Sequence, residues 1–506
     1  MLCNEENTMF KYQLTAGIEG SEILEILPKC NDANSFIMVL EKISSSKNEQ
    51  IVFIFQNSKS FISDAVRKAM INSGVEKFIS ISVDEKDTSV SNFRTASEFL
   101  RSNIADFINN SVVIVYNSSE PTMQQIAQAL YSESDRAILS VNVDAMKHNL
   151  SYFRDLIGHK TKFLACLKGS CHGAGVNRIG NILQKSGIDY VAVAYVSEGI
   201  QFRTKGITVP ILVFNPSIQT YDKILRYDLE PAIYSMDMLK KLNSFVENKK
   251  KCINIHLEIE TGFNRHGFAD HDVSDLIELI PKLHPNIKIR AIFSLLSGGS
   301  KLPYDDFVKE QAEQFTKMSS RIERETGIEV LKHLDTTNST IRFPEYHFSM
   351  VRVGSGIFGL SGIGHMQLPL KEVMTLSASV SQVNCLDKGS TVSYNQSFTV
   401  TEYTEVAVID IGYVDGLKRA LGCGIGTVMI KGRPCSILGL VCMDMCMVDV
   451  TGLDVHVGER AVIFCDDGIS LRANAAAAGS FLIEVLCNVH GRVKRVLHGT
   501  LLEDIL

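Results

Sequence analysis

The chain lacks the features that mark membrane, secreted and nucleic-acid-binding proteins. None of its apolar runs reaches the roughly 20 residues that cross a bilayer. Residues 1–7 are polar and acidic, with no basic stretch before an apolar core, so we expect no cleaved secretion signal. The net charge of −6 offers no general attraction for nucleic acid or an anionic membrane. A soluble enzyme or binding protein is the class that remains.

Two further absences concern cofactor and redox chemistry. No pair among the 12 cysteines has the CxxC spacing, and most of them lie in apolar runs where a free thiol packs as a small hydrophobic group. We therefore expect reduced thiols in a cytoplasmic protein rather than disulfides or a zinc site. No GxxxxGK[ST] segment is present, so nothing marks a nucleotide-phosphate loop. Neither an internal repeat nor a low-complexity tract is apparent.

The length and apolar pattern predict an α/β protein of three domains. A chain of 506 residues is too long for one small core. Residues 1–137 alternate apolar strands with helical stretches, which favours a Rossmann-like parallel sheet. The strands expected there are residues 51–55, 78–83 and 111–116.

Residues 138–372 repeat this alternation over the length that a (β/α)8 barrel needs. Barrel active sites lie at the C-terminal ends of the strands, where Lys168, Arg265, Asn338, Ser339 and Arg352 follow or end apolar runs. The eight expected strands are residues 163–167, 190–195, 210–214, 231–234, 253–259, 289–296, 331–334 and 350–353.

Residues 373–506 change pattern and predict an antiparallel β domain. Short segments rich in Val and Ile are separated by turns that contain glycine. A helix is expected at residues 473–485. The expected strands are residues 377–385, 405–411, 427–430, 436–441 and 460–464.

Seven segments from residue 138 to the C-terminus occur in one characteristic order: SVNVDAMKHNL at 140–150, ETGFNRHGF at 260–268, NS at 338–339, VRVG at 351–354, VSY at 392–394, IGYVDGLKR at 411–419 and GLVCMDMCMVDVT at 439–451. Together they resemble bacterial alanine racemases, which use pyridoxal 5′-phosphate (PLP). Lys168 matches the lysine that carries PLP in that family, and Arg352 matches the arginine that faces its pyridine nitrogen. The resemblance also implies cofactor contacts from His172, Ser339, Gly354 and Ser355.

This resemblance implies a two-base racemase. Lys168 would exchange a proton on the face that handles D-alanine, and Tyr394, from the partner subunit of a homodimer, on the opposite face. Arg265 and Met443 would contact the cofactor or substrate. A tyrosine is a weak base at its usual pKa of about 10, so Tyr394 needs a neighbouring positive charge or hydrogen bond. The product would be D-alanine for peptidoglycan.

Four positions depart from the family at the expected site. His172 and Ile483 replace two tyrosines that bind the phosphate, and Leu295 replaces a histidine near the cofactor ring. Glu258 stands where many relatives have a carbamylated lysine, and its carboxylate can supply the same negative charge to Arg265. The smaller Ile483 suggests a wider entrance and turnover of a longer amino acid such as serine.

Residues 1–137 resemble the C-terminal domain of the UDP-N-acetylmuramoyl-tripeptide–D-alanyl-D-alanine ligase, without its ATP-binding domain. We therefore expect this domain to be a non-catalytic remnant. Two other functions remain open from sequence. One is a catalytically impaired relative that acts as a binding or regulatory protein in wall synthesis, and the other is a barrel-type PLP decarboxylase.

Overall fold

A computed structural model gives the fold of two compact units, each described separately. The first unit comprises Met1–Asp144, Met374–Phe481 and Asn488–Leu506, and the second comprises Ala145–Val373 and Leu482–Cys487. The described residues are 10–16, 22–28, 36–40, 50–56, 64–81, 91–102, 104–108, 111–117, 121–130, 136–176, 178–464 and 469–499.

The second unit is a parallel barrel of eight strands. Each strand pairs in parallel with its neighbour, and the last strand, Met350–Val353, pairs with the first, Lys162–Cys166. The strands are β8 (Lys162–Cys166), β9 (Tyr190–Val193), β10 (Ile211–Val213), β11 (Glu230–Ile233), β12 (Ile253–Glu258), β13 (Ile287–Phe293), β14 (Leu331–His333) and β15 (Met350–Val353). All eight expected barrel strands are therefore confirmed, to within a few residues at their ends.

Helices follow most of these strands, as the alternating pattern predicted. The longest, Asp305–Thr326, ends at Gly327, whose φ of 71° is the left-handed conformation common at helix ends. The helices are Val143–Ile157, Ile179–Lys185, Val196–Thr204, Tyr221–Arg226, Met236–Val246, Val273–Leu279, Asp305–Thr326, Thr337–Arg342 and Leu482–Cys487.

Apolar side chains fill the barrel, because strands covered on both faces bury nearly every residue. One buried cluster contains Leu164, Tyr190, Leu212, Phe293 and Met350, from five different strands. Several buried polar side chains also lie in this unit, including His256, His333 and Arg352, and some of them belong to the site described below.

The N-terminal part of the first unit is a parallel sheet, which confirms the Rossmann-like expectation for the described residues. Its strand order is β2-β6-β3-β4-β5, and β1 joins β2 antiparallel. Packed aromatic rings form part of its core, and the ring centres of Phe36 and Phe53 lie 5.1 Å apart. The strands are β1 (Phe10–Ala16), β2 (Glu22–Pro28), β3 (Ile51–Gln56), β4 (Lys77–Ile81), β5 (Ser91–Phe93) and β6 (Val112–Tyr116), with helices Asp64–Asn72, Ala96–Arg101, Ala105–Ile108 and Pro121–Leu130. Residues 82 and 83 of an expected strand lie outside the described residues.

The C-terminal part of the same unit is antiparallel, as expected. β7 (Ala137–Asn142) joins it by pairing antiparallel with β16 (Met374–Leu386). β24 (Lys494–Gly499) pairs in parallel with β7 and antiparallel with β1. One sheet of 14 strands therefore runs through the first unit. The remaining strands are β17 (Thr391–Val392), β18 (Phe398–Thr399), β19 (Thr404–Ile409), β20 (Thr427–Ile430), β21 (Arg433–Leu438), β22 (Cys446–Asp449) and β23 (Arg460–Phe464).

The helix expected at residues 473–485 is wrong as a single element. Two helices occur instead, Ile469–Ala477 and Leu482–Cys487. Gly479, with φ of 60°, lies between them in the left-handed conformation that a right-handed helix cannot contain. Among the described residues, no helix combines the length and apolar character needed to cross a bilayer.

Candidate active site

Lys168 lies two residues after the end of β8, at the C-terminal end of the barrel. Its side chain is exposed, and the next four residues all have left-handed φ angles: Gly169 62°, Ser170 51°, Cys171 56° and His172 54°. Such a run is strained for residues other than glycine, at about 1–3 kcal/mol each. The Gly169 amide donates to Glu198 Oε1 at 2.7 Å, which fixes the start of this turn. The turn holds the lysine at the mouth of the barrel.

Arg352 lies on β15, which pairs with β8 so that Arg352 stands opposite Leu164. Its buried guanidinium donates from Nη2 to the Ser294 carbonyl (2.6 Å) and the Leu334 carbonyl (3.2 Å). Nη1 contacts His333 Nδ1 (2.7 Å) and the His333 carbonyl (3.1 Å). These four acceptors occupy all four Nη hydrogens. No described residue accepts from Nε, which leaves one N–H for a further acceptor.

A backbone cradle follows Arg352 along the chain. Gly354 N and Gly356 N both donate to Thr337 Oγ1, at 3.0 and 3.3 Å. A Cβ atom added at Gly354 would lie 3.2 Å from Cys166 Cβ and 3.3 Å from His172 Nε2. A side chain at this position would therefore fill the cradle. Ser355, half-buried, begins the short turn Ser355–Phe358 that completes it.

The Ser339 hydroxyl and the His172 imidazole, which were expected to bind phosphate, both form hydrogen bonds within the protein. Ser339 is fully buried, and its Oγ accepts from Thr336 N at 2.7 Å at the start of helix Thr337–Arg342. His172 Nε2 contacts the Cys166 carbonyl at 3.1 Å, so this nitrogen donates to the backbone. Burial lowers the pKa of His172 and favours the neutral ring. Sequence reasoning missed Thr337, which is the hydroxyl that contacts the cradle.

Glu258 and Arg265 form a loose ion pair at the same end of the barrel. Arg265 Nη2 lies 4.0 Å from Glu258 Oε1, and the arginine is half exposed. Burial raises the pKa of Glu258 to about 7, and the positive charges of Arg265 and Arg352 partly oppose this rise. Glu258 therefore gives Arg265 a negative neighbour mainly above neutral pH. Leu295 and Ile483 are both half-buried in this unit.

Tyr394 belongs to the first unit and is 62% exposed. Ser393, Asn395 and Gln396 beside it have left-handed φ angles of 69°, 57° and 52°. Ser393 Oγ donates to the Leu440 carbonyl at 2.7 Å, which ties this turn to the segment that leads to Met443. The phenol is displayed at the surface of this unit on a strained, well-anchored turn.

Met443 is 49% exposed, and its carbonyl accepts from Val414 N at 3.1 Å. Asp444 next to it accepts from Arg492 Nη2 at 2.6 Å, and Arg492 also pairs with Asp415. The two sequence motifs at 411–419 and 439–451 are therefore joined in space. Within the first unit, the turn that carries Tyr394 is hydrogen-bonded to the segment that leads to Met443. Lys168, Arg352 and Gly354 belong to the second unit.

Comparison with known proteins gives a consistent result. The family model described as "Alanine racemase, N-terminal domain" matches residues 141–362, and "Alanine racemase, C-terminal domain" matches residues 373–497. An alanine racemase from Synechocystis sp. is 31% identical over 371 residues, which cover 72% of this chain and 99% of that protein.

Solved structures have the same fold. An alanine racemase from Clostridium difficile 630 matches with a TM-score of 0.69 and 26% identity, covering 72% of this chain and 96% of that one. An alanine racemase from Bartonella henselae with covalently bound pyridoxal phosphate matches with a TM-score of 0.65 and 23% identity. It covers 72% of this chain and 99% of that one.

Proposed function

The chain belongs to the alanine racemase family, and from that premise we propose that it interconverts L- and D-alanine with bound PLP. The product would supply peptidoglycan synthesis. One observation carries the proposal: Lys168, Arg352 and Gly354 lie near the C-terminal ends of two paired strands, β8 and β15, at one end of the barrel. The binding-only and decarboxylase alternatives are not favoured, because the family models and the curated relatives that match this chain are those of alanine racemases.

The residues present fit PLP. The free Nε–H of Arg352 suits the pyridine nitrogen, and the Ser355 amide suits a phosphate, because Thr337 rather than Ser339 holds the Gly354 and Gly356 amides on either side of it. His172 would close one wall of the cradle, and Ser355 would offer its backbone. Lys168 supplies the amine that bonds the cofactor aldehyde. When bound, PLP withdraws electrons from an attached amino acid and acidifies its Cα–H.

Two groups of the protein would then move the proton. We assign Lys168 to one face of the substrate Cα and Tyr394 of the partner subunit to the other. The exposure of Tyr394 supports this, because a phenol at a surface can enter a neighbouring copy of the chain. The active species is therefore proposed to be a homodimer. Met443 and Arg265 are assigned to the substrate, with Glu258 orienting Arg265 above neutral pH.

Arg352 is also proposed to limit side reactions. A guanidinium donates but does not accept a proton, so Arg352 would leave the ring nitrogen of bound PLP unprotonated, and the ring would withdraw electrons less strongly. The carbonyls and the histidine around Arg352 hold it rigidly in this role. Weak delocalisation favours prompt return of the proton to Cα over transamination.

A coupled D-alanine assay on purified variants tests the function. We expect Lys168→Ala to lose both racemisation and the covalent bond to PLP, which borohydride reduction followed by absorption reveals. Tyr394→Phe should lose racemisation but retain the covalent bond. Lys160→Ala and Tyr403→Phe are matched controls, because both residues are exposed and neither is assigned to the site. A wild-type protein that stays colourless with added PLP would contradict the proposal.

The remaining assignments concern the other parts of the chain. Residues 1–137 are proposed to be a non-catalytic domain of the ligase C-terminal type, with domains at 138–372 and 373–506. The parallel sheet formed by β2 to β6 supports the domain at 1–137. The family models that begin at residues 141 and 373 support the domains at 138–372 and 373–506. Absence of ATP-dependent ligation by the full chain is the expected result. A cytoplasmic location is proposed from its nine described cysteines, which are all free thiols.

A further inference from the structure

A chain of buried polar groups crosses the barrel interior below Arg352. It begins at Glu230, the first residue of β11, and passes through His256 on β12 and His333 on β14. Glu230 Oε2 lies 2.8 Å from His256 Nε2, and His256 Nδ1 lies 3.2 Å from His333 Nε2. His333 Nδ1 then meets Arg352 Nη1 at 2.7 Å. Both histidines are completely buried.

The direction of every hydrogen bond in this chain follows from Arg352. A guanidinium only donates, so His333 Nδ1 accepts and the proton of His333 is on Nε2. That proton is donated to His256 Nδ1, which places the proton of His256 on Nε2. Glu230, an acceptor when ionised, receives it. A single arrangement therefore satisfies all four residues, with both rings neutral.

The surroundings hold this arrangement in place. The His333 ring stacks on Phe293, with ring centres 4.8 Å apart, and the Arg352 guanidinium lies 5.5 Å from the same ring. Asn254 Nδ2 donates to the other oxygen of Glu230 at 2.9 Å. Glu230 also lines a cavity of about 140 Å³ beside the first residues of β11 and β12. The carboxylate therefore ends the chain at the opposite end of the barrel from Lys168.

We propose that Glu230 is a positioning residue for the racemase reaction, acting through His256 and His333 on the orientation of Arg352. This inference rests on the proposed function for its kinetic part only. Without the carboxylate, His256 can take its other tautomer, and His333 would then present Nδ1–H to Arg352. Two donors 2.7 Å apart repel, and the guanidinium would turn away from the position that leaves its Nε–H free.

Glu230→Gln is the informative substitution, because Asn254 fixes the orientation of the new amide. Asn254 Nδ2 donates to the oxygen of the amide, so the NH2 group faces His256 Nε2 and donates to it. The donor order of the whole chain then reverses. Glu230→Asp keeps an acceptor, and Tyr190→Phe is a matched control, since its hydroxyl accepts from Arg290 in the same barrel at 3.1 Å without joining the chain.

The measurement is 15N NMR of the histidine rings in the full-length protein, with PLP and after its removal, with His333→Gln to assign the signals. In wild type we expect Nδ1 of both His256 and His333 to be unprotonated. In Glu230→Gln we expect His333 Nδ1 to become protonated, and kcat to fall about tenfold, the effect of roughly one hydrogen bond, with KM within about twofold. Glu230→Asp and Tyr190→Phe should keep the wild-type tautomers.

Protonated Nδ1 on wild-type His333 overturns the proposal, whatever the variants do. So does a Glu230→Gln protein whose tautomers and kcat match wild type, or whose only change is a lower unfolding temperature. A wild-type protein that forms no D-alanine would refute the racemase assignment instead, and the NMR result would still decide the hydrogen-bond direction.

Discussion

Thr337→Val tests whether the Thr337 hydroxyl, rather than the Ser339 hydroxyl expected from sequence, supports the phosphate cradle. Valine has nearly the same shape but no oxygen, so Gly354 N and Gly356 N lose their acceptor. A buried donor without a partner costs about 1–3 kcal/mol. Because one hydroxyl serves both amides, we expect a loss of about 2 kcal/mol in the free energy of unfolding without PLP.

The same change should weaken PLP binding. Without Thr337 the Gly354–Gly356 segment is no longer fixed, so its Ser355 amide must be ordered when the phosphate binds. About 1.4 kcal/mol of such an ordering cost lowers affinity tenfold. Urea unfolding measures stability, and titration of the PLP absorption measures affinity. Thr340→Val is the matched control, because its buried hydroxyl donates to the Thr336 carbonyl at 2.8 Å in the same helix. It should lose stability and keep PLP affinity.

Ser339→Ala completes this set. Its hydroxyl accepts from Thr336 N at the helix start, so its loss should cost about 0.5–2 kcal/mol of stability with little effect on PLP. The reasoning is refuted if Thr337→Val binds PLP as tightly as Thr340→Val. It is equally refuted if Ser339→Ala weakens PLP binding more than Thr337→Val does.

Three further predictions concern charge, substrate and packing. The pKa of Glu258, raised from 4.5 to about 7 by burial, makes folding bind a proton, so wild-type stability falls as pH rises through about 7. In urea unfolding, the free energy of unfolding of Glu258→Gln should therefore rise relative to that of wild type between about pH 5 and about pH 8. A difference in stability that does not change with pH argues against this. Ile483→Tyr should lower turnover of L-serine relative to L-alanine. A wild-type protein that accepts alanine alone would contradict the wider substrate entrance expected at Ile483. Gly356→Ala should lower the unfolding temperature, because its Cβ would lie 2.5 Å from Phe153; an unchanged temperature contradicts this.

Local pattern was enough to predict the barrel. Its strands are short apolar runs such as β9 and β12, which bury almost every residue and are separated by amphipathic helices. Pairing partners distant in sequence were not predictable in the same way. The pairing of β7 with β16 and β24 joins segments more than 200 residues apart, and no periodicity within β7 indicates it.

In the candidate site, too, local motifs were predictable and contacts between distant residues were not. Lys168 and Arg352 were identified from motifs around them, and the structure brings their strands together. Thr337 was missed because residues 336–340 contain four hydroxyl side chains, and only the backbone path decides which one meets Gly354. The Glu230–His256–His333 chain was missed because its members lie on three strands and share no motif.

The central claim is that Lys168 and Tyr394 act on one substrate from two different subunits. Mixing Lys168→Ala and Tyr394→Phe proteins after dissociation tests it, since neither alone should form D-alanine. A random mixture of dimers would regain about one quarter of wild-type activity, because half the dimers pair the two variants and each holds one intact site. A mixture that exchanges subunits yet stays inactive would contradict the account.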